Sequence, residues 1–225
     1  MRIKKFGLTL SRLRRDDIEL VRTMRNREDI RNSMEFRDII SSEQQLKWFH
    51  SIDNIYNNYF IIESENRKVG LIHGKNTNFD ERSSEGGLFI WDANCIGTPI
   101  PMLASVILAD LHFYINEFEL NYIKVKKDNI RAIRYNEMLG YIHTNALHVS
   151  PDFQVLYITK ADYFTWSKKY RSYIKLLTGD ETILGPESVD FEIYTPEEIE
   201  RLYLSLPGIW REKMLKYLQL HKNVQ

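Results

Sequence analysis

Three stretches of this chain carry residues whose types and spacing could do chemistry. Gly97, Thr98 and Pro99, followed by Ile100 and Pro101, read as a helix start with Thr98 as its cap. Free backbone N–H groups and a positive dipole end make such a start a place for an anion, phosphate above all. His73 ends a short β-rich run, and its unperturbed pKa near neutrality suits it to handle a proton. Asn129 to Tyr141 follows a strand-like run at 122–125 and reads as an Asn, a short amphipathic helix and a terminal Gly-aromatic pair. Gly140 there permits the left-handed conformation that ends a helix. Each stretch also has a plain structural reading: a capped helix with no ligand, a polar strand end, an amphipathic helix stopped by glycine.

The elements that must position these residues can be read from periodicity. Residues 6–13 alternate apolar and polar and read as a strand, after which Asp16-Asp17 open a helix carrying Ile18, Val21 and Met24. Ser41 with Gln44 three residues on is a capping box, so a second helix should carry Leu46, Trp48 and Phe49. Residues 59–62 and 69–72, separated by a polar turn, read as neighbouring antiparallel strands, and 88–91 as a further strand. A long helix, apolar on most sides, is expected from about 99 to 117, then strand 122–126, the helix of the Asn129 stretch and strand 153–159. Hairpins with one crossover helix imply an α/β (α+β) fold with a mixed, mainly antiparallel central sheet flanked by helices. The expected division is a domain over 1–162 and a mostly helical C-terminal extension over 163–225. In that extension Thr195-Pro196-Glu197-Glu198 is a helix start and 209–221 a last helix.

Bulk composition narrows the function class. With 31 acidic and 31 basic residues the chain has no electrostatic bias toward nucleic acid. A single cysteine, Cys95, excludes an intramolecular disulfide framework and fits a reducing compartment. The longest uncharged apolar run, 102–109, is far short of the roughly 20 residues of a membrane span. The expectation is a cytoplasmic protein with no membrane and no nucleic-acid partner and no metal.

The Asn129–Tyr141 stretch resembles the last motif of the GCN5-related N-acetyltransferases, N-x-x-A-x-x-x-Y-x-x-x-G-F, with Asn129, Ala132, Gly140 and Tyr141 at matching positions. The element order over residues 6–160 is similar to that superfamily's. The resemblance implies two parallel strands that splay apart, here 88–91 and 122–126, with the pantetheine arm of acetyl-CoA lying in the gap. It implies cofactor contacts at Phe89, Ile90, Trp91, Asn94, Gly97, Thr98, Ile100, Asn129, Ala132 and Asn136. The family's phosphate loop, Q/R-x-x-G-x-G/A, reads Asn94-Cys95-Ile96-Gly97-Thr98-Pro99 here, so only Gly97 matches outright. Pro99 and Pro101 each lack a backbone donor, which depletes the cradle.

For catalysis the resemblance nominates Glu85 as base, with His73 as the other candidate. The family's acidic Tyr position holds Asn136, with Tyr135 one residue earlier, about 100° away around the helix. Arg25, Asn26, Met34 and Trp48 look like the acceptor side of the branch that acetylates amino sugars on nucleotide carriers: an Arg suits a diphosphate and an aromatic can cover a sugar. The implied activity is acetyl transfer from acetyl-CoA to the primary amine of a small molecule, an amino-sugar nucleotide foremost. Acetylation of a protein N-terminus, as in ribosomal-protein acetyltransferases, and a degenerate member kept as a binding module are the alternatives. If residues 163–225 pack outside the cofactor cleft, a homodimer surface is their simplest role.

Overall fold

The computed structural model of the protein describes residues 1–32, 34, 36–145, 149–191, 195–205 and 212. The strand expected at 6–13 is β2 (Leu8–Arg12), and an additional strand before it, β1 (Arg2–Lys5), pairs with it as a hairpin. Phe6 and Gly7 turn the chain with φ of 54° and 75°. Two successive positive φ values form the tight turn that matches strand twist; a Phe in the first position hides it from a reading of alternation. The chain continues through α1 (Ile18–Asn26), one turn of α2 (Glu28–Arg31), and α3 (Ser42–Ile52). At the start of α3 the Gln44 amide donates to Ser41 Oγ and the Ser41 amide to Gln44 Oε1, the reciprocal box expected.

β3 (Asn58–Ser64) and β4 (Arg67–Asn78) are joined at Glu65-Asn66, and β5 (Ser83–Ile90) returns along β4. Trp91 lies just past the end of β5 rather than in it. The long helix is α4 (Ile100–Asp110), which widens into a π-helical turn over Leu111–Ile115. Then come β6 (Leu120–Lys126), α5 (Ile130–Met138), the short β7 (Ile142–Thr144), β8 (Phe153–Thr159) and α6 (Lys160–Thr178). The short strand β9 (Val189–Asp190) and α7 (Pro196–Ser205) complete the described chain. Thr195 caps α7 through Glu198 as expected, and the helix expected at 209–221 lies outside the described residues.

Among the described residues nine strands form one sheet in the order β7-β8-β6-β5-β4-β3-β2-β1-β9. Only β5 and β6 run parallel; every other pair is antiparallel. The main core lies between the sheet and helices α4 and α6, with Phe60, Ile72, Ile107 and Phe113 at its centre and Tyr163, Trp166 and Ile174 contributed by α6. A second core on the opposite face joins α1 and α3 to the sheet through Val21, Phe49, Ile61, Leu71 and Trp91. A buried cluster anchors α6 and the chain after it to α4. Asp110, fully buried, accepts from Tyr163 Oη at 2.7 Å, from the Leu184 amide at 3.0 Å and from Arg171. No described helix is long and apolar enough to cross a membrane.

Candidate active site

The parallel pair sets the site. β5 and β6 are in register from Ser83↔Leu120 to Gly86↔Ile123, and there the pairing stops. Beyond that apex β5 continues to Ile90, still paired with β4. Its other edge has no strand partner there, while β6 runs on to Lys126 paired along its full length with β8, which leaves a gap between β5 and β6. An unpaired edge carries free N–H and C=O groups, so the gap is a slot for an extended chain of amides. Side chains alternate across a sheet. Thus Glu85, Gly87 and Phe89 face α1 and α3, while Ser84, Gly86 and Leu88 face α4 and α5.

On the α1–α3 face the registers align Tyr59, His73 and Gly87 in one row and Lys75, Glu85 and Tyr122 in the next. The His73 ring lies over bare Gly87, where any Cβ would overlap the imidazole, and stacks at a tilt on Tyr59 with centroids 4.6 Å apart. Burial there, helped by Lys75, lowers the His73 pKa to about 3, so the ring is neutral at physiological pH. Its Nδ1 is buried without a partner. Glu85 is 4% exposed. It accepts from Lys75 and Lys124, both at 3.1 Å, and from Asn76 Nδ2 at 3.1 Å. Burial pushes this carboxyl up, but the two lysines outweigh it and hold the group below the usual carboxylate range. Tyr59 is raised to about 12 by burial and by Glu85.

Arg25, from α1, stands over the Phe89 ring at 6.0 Å. Its Nη1 is buried with no hydrogen bond, and burial lowers its pKa. Trp48 from α3 meets Tyr59 edge-on at 5.2 Å on the same face. Met34 packs on the same apolar cluster. Asn26 does not join them. Its amide is engaged on both ends by the backbone of Ile40, at 2.9 and 2.8 Å, so it clamps the loop before α3 instead of offering a free polar group. Trp91 is also turned away from the gap: it is buried in the α1–α3 core, and its indole N–H donates to Lys68 O at 2.7 Å.

The opposite face is neutral. Tyr135 and Ser105 share a hydrogen bond at 2.8 Å that links α5 to α4, and burial raises the Tyr135 pKa well above its ordinary value. Asn136 donates to Ala132 O at 2.7 Å, one turn back, and Asn129 caps α5 by accepting from the Ala132 amide at 3.1 Å. Neither Tyr135 nor Asn136 is therefore poised as an acid. At the far end of the slot Gly97 adopts φ +85° with open space where a Cβ would be. Thr98 caps as expected, accepting from the Ile100 amide at 3.3 Å, but its own proton goes to Cys95 O at 2.8 Å. Asn94 is exposed beside it. Among the described residues the Gly97 and Met102 amides have no acceptor within the chain, so an anion here would meet two backbone donors where Pro99 and Pro101 offer none.

No protein-family model and no curated protein matches this chain. Solved structures do. Spermidine N-acetyltransferase from Vibrio cholerae in complex with CoA and spermine superposes with a TM-score of 0.63 at 19% identity, covering 71% of this chain and 99% of that one. A dodecameric structure of the Vibrio cholerae enzyme gives 0.57 at 21% identity over 71% and 97%. A domain from Methanocaldococcus jannaschii DSM 2661 gives 0.58 at 20% identity over 68% and 97%. The fold is that of the GCN5-related N-acetyltransferases. Within the acetyltransferase fold, the apex at Gly86 and Ile123 separates two faces, and reading the sequence alone missed most of what lines them. Lys75, Lys124 and Tyr59 are found only once strand register is known, since each is an ordinary strand residue in sequence. Asn121 and Tyr141 meet across 20 residues of chain for the same reason.

Proposed function

We propose that the chain is an acyl-CoA-dependent N-acyltransferase moving an acetyl group from acetyl-CoA to the primary amine of a small molecule. The observation that carries this reading is the gap beyond Gly86 and Ile123, an unpaired edge of β5 leading to a helix start with two free amides. The residues present fit the donor: the Gly97 and Met102 amides would hold its diphosphate, and the Gly87–Ile90 edge would pair with its amide-rich arm. When bound, the donor supplies a thioester carbonyl near the apex. Neutral His73 then presents Nδ1 as an acceptor for one N–H of the amine, aligning its lone pair. Glu85 stays ionised and is a weak base, so the proton leaves the amine through water beside its carboxylate. With Tyr135 engaged by Ser105 and Asn136 by Ala132, water protonates the departing thiolate.

The acceptor we favour carries its own negative charge, an amino-sugar nucleotide being the best-fitting class. Arg25, Lys75 and Lys124 set three cations against the one carboxylate of Glu85 around the pocket. Such a lining repels a polycation and attracts a phosphate. The second reading is a polyamine acceptor, favoured by the Vibrio cholerae neighbour crystallised with spermine.

Thermal unfolding with acetyl-CoA tests the donor half: at about 100 times the dissociation constant the fold gains roughly 2.7 kcal/mol, and no shift at millimolar donor sinks the reading. Thiol release with a nucleotide-linked amino sugar against spermidine then tests the acceptor half. Faster turnover of spermidine replaces the anionic reading with the polyamine one.

A further inference from the structure

We propose that the apex beneath Gly86 selects the acyl group, admitting acetyl and turning longer chains away, with Asn121 as the specificity-determining residue and Tyr141 as the residue that positions it. The inference rests on the gap being the donor's slot. A diphosphate at Gly97 and Met102 fixes which way the arm runs, from the loop after β5 back along the open edge. From Ile90 to Gly86 is four residues, about 13 Å at roughly 3.3 Å per residue. The acyl end of the arm therefore arrives at the apex and not at the mouth.

The apex has no depth below it. A Cβ built on Gly86 would stand 2.8 Å from Asn121 Oδ1 and 3.3 Å from Ile123 Cγ2, so these side chains already touch the glycine and form a floor. On the other face His73 covers Gly87 in the same way. A chain longer than acetyl has to move one of these groups.

Asn121 is held against such movement. Its Oδ1 accepts from Tyr141 Oη at 2.6 Å, and its Nδ2 donates to both Ser84 O and Ser84 Oγ at 3.1 Å. Ser84 Oγ in turn meets His112 Nδ1 at 3.3 Å, whose Nε2 meets Leu120 O at 3.1 Å. Asn121 is 8% exposed, so water cannot replace the bonds lost when its amide swings. Tyr141 supplies the strut through its hydroxyl, which the Phe of the family motif lacks.

The test is isothermal titration of the full chain with CoA, acetyl-CoA and butyryl-CoA. The unaltered protein should bind acetyl-CoA at least about tenfold more tightly than butyryl-CoA, the discrimination expected when added methylenes have no room. Asn121→Ser should bring that ratio to within about threefold by improving butyryl-CoA, and Gly86→Ala should weaken acetyl-CoA about tenfold while leaving CoA within about twofold. Tyr141→Phe, which removes one hydroxyl and leaves the ring packed, should narrow the ratio by at least about threefold even if Asn121→Ser fails to fold. Equal binding of acetyl-CoA and butyryl-CoA by the unaltered protein, or a ratio that none of the variants moves, overturns the proposal. Absence of CoA binding itself removes the slot, and with it the proposal, a result that titration with CoA alone separates from a failure of selectivity.

Discussion

The two faces of the β5–β6 apex treat polar groups in opposite ways. Toward α4 and α5, Ser84, Asn121, Tyr141 and His112 satisfy one another in a closed neutral chain. Toward α1 and α3 the groups are charged and incomplete. Among the described residues the buried side-chain atoms without a hydrogen-bond partner are Ser11 Oγ, Arg25 Nη1, Gln45 Nε2 and His73 Nδ1, and all four belong to that side. Buried polar atoms are nearly always satisfied in folded proteins. A satisfied network is a part of the scaffold, whereas Arg25 Nη1 and His73 Nδ1, whose side chains lie over Phe89 and Gly87 of β5, are left for a ligand to satisfy.

Removing one partner on each side is the strongest way to break that contrast. Asn121→Leu strips Tyr141 of its acceptor and Ser84 of its donor inside a buried chain, so urea unfolding should show a loss of about 2–4 kcal/mol. Arg25→Met removes a buried guanidinium whose Nη1 has no partner, and stability should stay within about 1 kcal/mol of the parent or rise. If the acceptor is anionic, as proposed, its turnover should nevertheless fall at least about tenfold, through KM. If Arg25→Met unfolds the protein as readily as Asn121→Leu, the orphan is structural and the contrast fails.

Acid probes both faces at once, because each buries a neutral histidine. His73 and His112 are both held at about 3, burial being the main cause, against an ordinary value near 6.5. A lowered histidine pKa means that the unfolded chain binds the proton first. The stability from each is complete above about pH 6.5 and is lost as pH falls toward 3. Between pH 7.5 and 5.5 the two together should remove roughly 2–3 kcal/mol, measurable by denaturation at each pH. His112→Asn should abolish about half of that slope. The activity profile should differ from the stability profile: with His73 neutral and Glu85 ionised above pH 5, kcat/KM should rise with the pKa of the acceptor amine and show no inflection at 6–7.

How much of this was legible beforehand follows the range of the interactions. Local signals told the truth: the Ser41–Gln44 box, the Thr195 cap, the Gly140 helix stop and the motif around Asn129 all depend on residues within a turn or two of each other. The splay could be expected from resemblance, but its apex depends on register, which no local pattern fixes. That is why Glu85 was nominated while Lys75 and Lys124, which decide its charge, were not. Asn26 and Trp91 illustrate a related limit. A polar or aromatic side chain near a site has the right type for ligand binding, yet the Ile40 backbone takes one and the α1–α3 core the other. Thr98 accepts from the Ile100 amide at the helix start, but its own proton goes to Cys95 O, and that bond removes it as a phosphate donor.

Glu85 sharpens the contrast on the charged face. Its folded pKa lies below the ordinary carboxylate value, so its contribution is present above about pH 4.5 and is lost as pH falls below that. Glu85→Gln leaves Lys75 and Lys124 facing one another without the intervening charge. Both lysines are about a third exposed, which limits the loss to roughly 1–2 kcal/mol. The same variant raises the positive charge of the pocket. Affinity for an anionic acceptor should be kept or improved while the rate falls, a split between KM and kcat that a polyamine acceptor would not give.

The smallest expected effect concerns the mouth of the slot, where the contrast meets the donor. Pro99→Ala restores one N–H at the helix start without the flexibility that Gly would add, and its backbone at φ −65° and ψ −17° is one that Ala adopts freely. With the Gly97 and Met102 amides it would make a third donor for the diphosphate. Binding of CoA by titration should tighten by about 1 kcal/mol, roughly fivefold, and the gain should shrink with added salt because the bond is to an anion. Dephospho-CoA should gain as much as CoA, since it keeps the diphosphate. A gain confined to CoA would instead place the 3′-phosphate, and not the diphosphate, at this helix start.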